Sequence, residues 1–585
     1  MLGKIIGIIE GDVKVGLTIN IYNVDNLIGK NVIFEGNKKI VGEINSIVNN
    51  IMTIHLVGEI IGNEFIYGDM DKPAFYSKCR IITPEELDIV FGIDKNANSV
   101  TLGKSYNYDK YDIKLNVNSF FANHFAILGN SGSGKSYSVS RIFQNLFYEA
   151  KQLPYNINIF LFDAYGEYQQ AFEKISQVNP NLNYKVYTTN LKDDNFEKLN
   201  IPFWLLGLDE LALLLEVTTP SQLPVLEKAL KLVGYFTKEE SEVINQKNDI
   251  IARCLLDIIF GGKSPMETNN RITSIMTKFK TSTLNLEVPL IKGGWTRTVR
   301  QCLFVDEHGK FADIELVIDF LQKFINDEFE LTLPDGTFAY GLKEFSMALE
   351  FALISEGIYN SDKVYDYANY LKIRLNALIN SENASYFNYP TFVTKEEYIK
   401  SLLTTSSGGK AQIVNFNINY IDDRFAKSLV KIYSKLVFDY IVTITPRASM
   451  PFHIILEEAH RYIQRDTDTE ILGYNIFERI TKEGRKYGIL LGLISQRPCE
   501  INETVISQCS NFLVFKMFHP LDLQFIRDVI PDVNDATINR IKSLHPGTCM
   551  TFGTAFKMPT LVAMGLPNPG PLSNSCDINS TWYIR

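Results

Sequence analysis

Eight consecutive residues, Gly129-Asn-Ser-Gly-Ser-Gly-Lys135-Ser136, satisfy G-x-x-x-x-G-K-[ST], a pattern whose curled backbone turns its N–H groups toward phosphate oxygens. The contacts expected for ATP fall on Gly129, Ser131, Gly132, Ser133, Gly134, Lys135, Ser136 and Tyr137. Lys135 is placed to neutralise the β- and γ-phosphates, and the Ser136 hydroxyl to ligate Mg2+. A second candidate is "FHIILEEAH", residues 452–460, an apolar run ending in two acids. Phosphoryl transfer needs one carboxylate near Mg2+ and one that polarises the attacking water. Glu457 is assigned to the metal, through water, and Glu458 to the water. The alternative is a pair of acids on a solvated helix N-terminus.

Three further groups accompany these. Gln496 follows the apolar run in "GILLGLISQRP", where it can sense the γ-phosphate, orient the water or serve as an ordinary polar turn residue. "ERITKEGRKYG" holds Arg479, Lys482, Arg485 and Lys486, either a solvated face or the source of an arginine, Arg485, that reaches a neighbouring subunit's γ-phosphate. Asp163 and Glu167 in "DAYGEY" also end an apolar run, with Asp163 either an acid behind the metal or a cap for the following turn.

These residues need a scaffold that presents them together. "HFAILG" reads as a buried strand, and Val139, Ile142, Phe143, Leu146 and Phe147 recur at helical spacing beyond the glycine loop, giving the strand, loop, helix order the motif requires. "INIFLFD", "QIVNFNI", "FHIILEE", "GILLGLIS" and "NFLVFKM" are continuous apolar runs of the kind that parallel strands buried on both faces show. Phe425, Leu429, Tyr433, Leu436 and Tyr440 mark a long helix that can cross over to "FHIILEE". The expected fold class is α/β: a P-loop nucleotide-binding core with a helical insertion, preceded by a small N-terminal β-barrel or sandwich. Its expected parts are a barrel over 1–90, the core over 100–195 and 386–565, the insertion over 196–385 and a tail over 566–585. "RIITPEELDIVFGIDKNANS" reads as a connection, and the tail reads as extended, although Trp582, Tyr583 and Ile584 at its end favour a docking site.

Composition sets limits on partners. With 585 residues, 45% hydrophobic and 21% charged, the chain has the makeup of a multidomain globular protein. A formal net charge of −9 excludes a surface that attracts nucleic acid over its whole extent. Seven cysteines without a C-x-x-C pair read as reduced thiols. No uninterrupted apolar run is long enough for a bilayer, even "IPFWLLGLDELALLLEV" being broken by Asp209 and Glu210, and the first residues carry no cleavage pattern. The expectation is a cytoplasmic protein without a membrane partner.

"HFAILGNSGSGKS", "FDAYGEY", "IPFWLLGLDEL", "IILEEAHRY", "TKEGRKYGILLGLISQRP" and "SQCSNFLVFKM" together resemble the HerA family of the HerA/FtsK superfamily of ring ATPases, over about residues 100–565. By position and strand pattern, the N-terminus resembles that family's small barrel. The resemblance implies a homo-hexameric, RecA-like DNA translocase or helicase with duplex DNA in a central pore. It carries Lys135 and Ser136 over as the P-loop pair, Glu458 as catalytic acid, Gln496 as sensor and Arg485 as the arginine acting across subunits. It also implies an effector partner held through the barrel: a nuclease of the NurA type in DNA-end processing, or a sirtuin-like or nuclease effector in anti-phage defence. Two departures stand out. Glu457 occupies a position where many P-loop enzymes have Asp, and Arg479 lies close enough to Arg485 to leave open which one crosses the interface. A pore reconciles DNA binding with an acidic chain, with Lys410, Lys278 and Lys280 as candidate pore cations. The alternative function is an assembly platform that organises and activates an effector with little translocation. A third is a secretion or conjugation ATPase of the same superfamily.

Overall fold

The alternating runs at the start of the chain fold, in the computed structural model, into seven strands: β1 (Gly3–Ile9), β2 (Asp12–Leu17), β3 (Asn31–Glu35), β4 (Lys39–Val48), β5 (Ile51–Ile61), β6 (Glu64–Tyr67) and β7 (Lys78–Ile81). The structure describes residues 1–9, 11–19, 27–68, 71–93, 97–108, 111–149, 152–238, 240–356, 362–531, 533–573 and 578–582. Six strands close a barrel in the order β2-β1-β7-β3-β4-β5, because β5 returns to pair antiparallel with β2, His55 opposite Asp12 and Ile51 opposite Gly16. The far half of β5 carries β6 instead. Strand periodicity sends Val13, Val15 and Leu17 inward, where Phe34, Ile44, Met52 and Ile54 meet them.

Between the barrel and the next strand, the segment expected to be irregular contains a helix, Pro84–Phe91. Thr83 and Glu86 form a reciprocal capping box, with Pro84 in the first turn where its missing N–H does no harm. Alternation is lost there because the period changes from strand to helix.

The remaining strands build one twelve-stranded sheet. In chain order they are β8 (Ser99–Ser105), β9 (Asp112–Asn116), β10 (Phe125–Leu128), β11 (Asn158–Asp163), β12 (Tyr184–Thr188), β13 (Glu197–Lys198), β14 (Ile413–Asn417), β15 (Phe452–Leu456), β16 (Ile489–Ser495), β17 (Asn511–Phe515), β18 (Thr548–Gly553) and β19 (Thr560–Met564). Across the sheet they run β13-β12-β14-β11-β15-β16-β10-β17-β18-β19-β8-β9. All pairs from β13 to β17 are parallel, and from β17 onward they are antiparallel. β10, β11, β15, β16 and β17 are buried at every position, which accounts for their continuous apolar sequences. Helix α1 (Lys135–Tyr148) follows β10 and buries Val139, Ile142, Phe143, Leu146 and Phe147 against the sheet. Helix α2 (Asp423–Val442), capped by Asp422, leads to β15, and α3 (Ile476–Glu483), capped by Asn475, leads to β16.

Contact density divides the chain into two units. One comprises Met1–Lys198, Ile399–Asp466 and Asn475–Arg585, and so holds the barrel and the large sheet together. Met558 joins Ile33, Val41, Val57 and Val90 in one apolar cluster, and Arg540 pairs with Glu43. The other comprises Leu199–Tyr398 and Thr467–Tyr474. It is mainly helical, through Leu223–Thr237, Glu240–Phe260, Pro265–Lys278, Leu342–Glu356 and Asp362–Ile379, with a small hairpin of Pro289–Lys292 and Trp295–Thr298. Within it the Tyr474 hydroxyl donates to Asp209 at 2.6 Å.

Among the described residues no helix is long and apolar enough to cross a membrane. Trp582, at the end of the short helix Ile578–Trp582, is exposed rather than docked, whereas Tyr583, Ile584 and Cys576 lie outside the described residues.

Candidate nucleotide-binding and hydrolysis site

The glycine loop leaves the carboxyl end of β10 between β16 and β17, the two strands that flank it in parallel. It is tethered to both, Gly129 N–H donating to Ser495 O at 3.1 Å and Asn130 N–H to Lys516 O at 3.0 Å. Gly134 has φ +106°, and a Cβ there would lie 2.9 Å from the backbone N of Gly547, so both conformation and space demand glycine. Lys135 folds back over the loop, donating to Gly129 O at 2.7 Å and Asn130 O at 3.0 Å.

Ser131, Gly132, Gly134, Lys135, Ser136 and Tyr137 line a cavity of about 730 Å3, which suits a nucleotide. Gly129 and Ser133 do not reach its wall; they shape the loop from behind. A Cβ on Gly129 would meet Phe515 Cβ at 2.5 Å, and Ser133 is buried with its N–H on Asn130 O. Glu167, Glu457, Glu458 and Gln496 complete the polar lining.

The acids gather because β11, β15 and β16 are neighbours in the sheet. Asp163, fully buried at the end of β11, accepts the N–H groups of Glu167 and Tyr168, each at 3.0 Å, and Asn415 Nδ2 at 3.1 Å. It therefore caps the turn that carries Glu167. Gly166 within that turn has φ +72°, and a Cβ would lie 2.7 Å from the Asn417 amide. Glu457 Oε2 accepts Ala164 N–H at 3.0 Å, and the Glu457 carboxyl also bonds to the Asp163 side chain. Burial, then the charges of Asp163 and Glu167, push Glu457 well above the usual carboxylate range.

Glu458 differs from Glu457 in two ways. Its backbone is left-handed, φ +49° and ψ +47°, a conformation that costs about 1–3 kcal/mol for a non-glycine residue and turns the side chain from the sheet toward the cavity. Its Oε2 is buried and accepts no hydrogen bond, while the Gln496 backbone N–H donates to the same carboxylate. Burial raises its pKa and the Lys135 charge pulls it down. Nearby, His460 Nδ1 lies 3.1 Å from Ser495 Oγ and 3.3 Å from Glu458 Oε2. Burial first, then the Arg461 and Arg497 charges, lower this imidazole to about 4, so it is neutral at physiological pH and no counter-ion for Glu458. Glu167, raised chiefly by burial, has the Ser136 hydroxyl beside it. Burial lowers Lys135 and the surrounding acids oppose that, Glu458 foremost.

Lys135 is the sole cation among the described residues that line the cavity, against three acids. Such a donor set fits Mg2+: a serine hydroxyl in the first helical turn, a buried carboxylate oxygen without a partner, and an excess of negative charge. Among the described residues no group of three acids or histidines forms a ready-made metal cage, so a Mg2+ ion here would be held jointly with phosphate oxygens.

Arg485 lies elsewhere. It is exposed on the Gly484–Lys486 turn before β16 and acts electrostatically on His124, which immediately precedes β10. The glycine loop begins at the other end of β10, so roughly 13 Å of strand separates Arg485 from its own phosphate site. Its guanidinium has no ion pair or hydrogen bond among the described residues. Arg479, by contrast, packs over the Phe438 ring at 4.7 Å and pairs with Glu483 at 3.6 Å. Of the candidate pore cations, Lys278 is paired with Glu350, Lys280 is exposed, and Lys410 is half-withdrawn from solvent.

Glu167 as a wall of the cavity, and Leu572 and Ser573 beside it, are not assigned by sequence reading. Glu167 carries a signal, since "DAYGEY" ends an apolar run; Leu572 and Ser573 carry none. A second cleft, of about 650 Å3, lies between the barrel and the Arg527–Arg540 segment, but its charges are largely paired internally, Arg540 with Glu43, Arg527 with Asp535 and His55 with Asp12.

A glycine loop at the end of a central parallel strand, a lysine inside it and two acids ending a strand of the same sheet define a P-loop ATPase. A family model described as the central domain of the helicase HerA matches residues 100–288. The DNA double-strand break repair helicase HerA of Sulfolobus acidocaldarius is 23% identical over 558 residues, covering 94% of this chain and 86% of that one. A probable helicase of Methanocaldococcus jannaschii is 36% identical over 138 residues, 24% of this chain and 26% of its own, so the match spans about a quarter of that relative. Among solved structures, VirB4 of Thermoanaerobacter pseudethanolicus aligns with a TM-score of 0.45 at 10% identity, covering 81% of this chain and 98% of that one. The chain is thus similar to HerA helicases over most of its length, with the match to the HerA central domain falling on the residues that carry the glycine loop.

Removing the Lys135 ammonium is expected to act on binding. Lys135→Ala should weaken ATP affinity by about 3 kcal/mol, roughly 100-fold, the order found when one partner of a buried charge pair is deleted. Equilibrium titration with a fluorescent ATP analogue checks it, and an unchanged affinity would remove Lys135 from the phosphate site.

Proposed function

We propose that this chain is an ATP-hydrolysing DNA translocase or helicase that works as a homo-hexameric ring with duplex DNA in its pore. The observation that carries this reading is one of charge. The cavity presents three acids and one lysine to a triphosphate, while Arg485 stands exposed and unpartnered at the opposite end of the same sheet. A site short of positive charge and an arginine without a counter-ion complement each other when copies of the chain meet side by side, and a repeated head-to-tail contact of that kind closes into a ring. The curated relatives named as double-strand break repair helicases support DNA as the substrate.

In this reading the loop amides and Lys135 hold the triphosphate, and Glu458 Oε2 accepts a proton from the attacking water. The water oxygen bonds to the γ-phosphorus as the bond to the β–γ bridging oxygen breaks, leaving ADP and phosphate. Gln496 fixes Glu458 through its N–H and offers its own side chain to the γ-phosphate or the water. Glu457, committed to Ala164 and Asp163, supports the metal position through water rather than directly. Bound Mg2+, with Ser136 among its ligands, supplies charge neutralisation at the phosphate oxygens. The barrel, whose outer face exposes Ile6, Ile9, Val48 and Ile61, is the docking surface for an effector, a nuclease or a sirtuin-like enzyme, in anti-phage defence or DNA-end processing.

The test is ATP turnover by the purified chain with and without linear duplex DNA. Turnover is expected to rise with DNA, and the DNA affinity behind that rise to fall by orders of magnitude between roughly 50 and 200 mM salt. Turnover that ignores DNA at every salt concentration, and rises only with a copurified effector, would replace this reading with the assembly platform.

A further inference from the structure

The Pro- and Gly-rich segment after β19 is built into the nucleotide cavity. Gly565 N–H donates to Leu102 O at 3.3 Å, and Leu572 N–H donates to Glu167 O at 2.8 Å. Between them Gln144, on α1, clamps the segment from both sides: its Oε1 accepts Asn568 N–H at 2.9 Å and its Nε2 donates to Pro569 O at 2.8 Å. The same Nε2 also donates to Ala171 O at 3.0 Å. Gln144 is 1% exposed. A polar side chain is tolerated at that depth only when its groups are bonded, and two of this amide's three bonds go to the strap.

The clamp has a geometric consequence. Gly570 is drawn against the Tyr137 ring, where a Cβ would lie 3.6 Å from Cε1, and Leu572 and Ser573 are delivered to the cavity wall. Tyr137 and Leu572 are thus large, partly exposed groups brought together at the cavity wall by the strap, while the other large apolar lining groups, Tyr165 and Ile494, come from outside it. Tyr137 directly follows Ser136 in the first turn of α1. The α- and β-phosphates lie on the loop amides and the lysine reaches the β- and γ-phosphates, so the nucleoside leaves the loop from the α-phosphate and needs an apolar place to rest.

We infer that the strap Gly565–Ser573 forms the nucleobase subsite, the base packing between Tyr137 and Leu572 while Gln144 holds the strap in place. This inference rests on the ATP-binding reading above and adds the site of the base to it. A flat apolar sandwich of this kind gains from the π-face of any base, so it contributes affinity for nucleotides over bare polyphosphate rather than fine choice among bases.

The experiment measures equilibrium binding of Mg-ATP and of inorganic tripolyphosphate to the full-length chain and to two variants, Leu572→Ala and Gln144→Leu. Each variant is expected to lose about tenfold in ATP affinity, the effect of withdrawing most of one aliphatic side chain from a contact, with tripolyphosphate affinity unchanged. Unchanged ATP affinity in Leu572→Ala, or equal losses for both ligands, would overturn the subsite. Leu572 is half-exposed, so its truncation leaves the core intact and decides the matter even if Gln144→Leu does not fold. A wild-type chain that binds neither ligand would instead overturn the ATP-binding reading and this inference with it. Wild-type binding of ATP no tighter than that of tripolyphosphate would sink only the subsite.

Discussion

Glu458→Gln is expected to bind ATP with near wild-type affinity and to lose turnover by about 10²- to 10⁴-fold, the usual contribution of a positioned general base. Amide and carboxylate have nearly the same shape, so the bond from the Gln496 N–H survives on the remaining oxygen, and the left-handed backbone at 458 is unaffected. What disappears is the basic oxygen. In the native chain Glu458 Oε2 is buried and accepts no hydrogen bond, and the neighbouring His460 is neutral, so this oxygen has no fixed cation beside it and is free to take a proton from water. Steady-state hydrolysis and ATP titration on the same preparation give the two numbers. Loss of binding together with turnover would make Glu458 part of the nucleotide site rather than the base. Normal turnover would move the base to Glu167, the other cavity acid free of the Asp163 bond that occupies Glu457, and Glu167→Gln would then carry the defect.

Much of this site is legible in the sequence because its parts are local. The glycine loop needs only eight contiguous residues, and β10, β11, β15, β16 and β17 announce themselves as continuous apolar runs because parallel strands are buried on both faces. The paired acids are legible too, but not their division of labour. Glu457 and Asp163 are nearly three hundred residues apart, and their carboxyl groups meet only because β11 and β15 lie side by side in the sheet. No spacing in the chain reports that adjacency. The same holds for the position of Arg485, whose distance from the phosphate loop follows from its place before β16 rather than after it.

The strap is harder to foresee for a different reason. Its prolines and glycines prevent both helix and strand, so it has no periodicity, and composition alone reads as a solvated tail. The residue that fixes it, Gln144, looks like one more polar position on an amphipathic helix. Only its burial shows that it faces inward. Conversely, the helix Pro84–Phe91 carries a readable start signal in Thr83, Pro84 and Glu86, and the change of period, rather than a loss of structure, explains why strand alternation stops there.

Arg485→Ala is expected to abolish most hydrolysis, by about 10³- to 10⁵-fold if it supplies transition-state charge as arginines do in other P-loop enzymes. The defect should also be rescued by mixing. Arg485 stands at the amino-terminal edge of the sheet and the phosphate loop at the carboxyl edge, so an arginine that serves hydrolysis from there serves another copy. A ring that combines Arg485→Ala subunits with Lys135→Ala subunits then contains interfaces at which an intact Lys135 loop faces an intact Arg485. Homogeneous rings of either variant contain none. Turnover in mixed samples should therefore exceed that of both parents and peak near equal ratios, where productive interfaces are most frequent. The same mixing with Arg479→Ala should give no rescue pattern, because Arg479 is engaged with Phe438 and Glu483 of its own chain and its loss is local. If Arg479→Ala complements and Arg485→Ala does not, the two arginines exchange roles. If neither complements at any ratio, hydrolysis is completed within one chain, and the charge deficit of the cavity is met by Mg2+ and Lys135 alone.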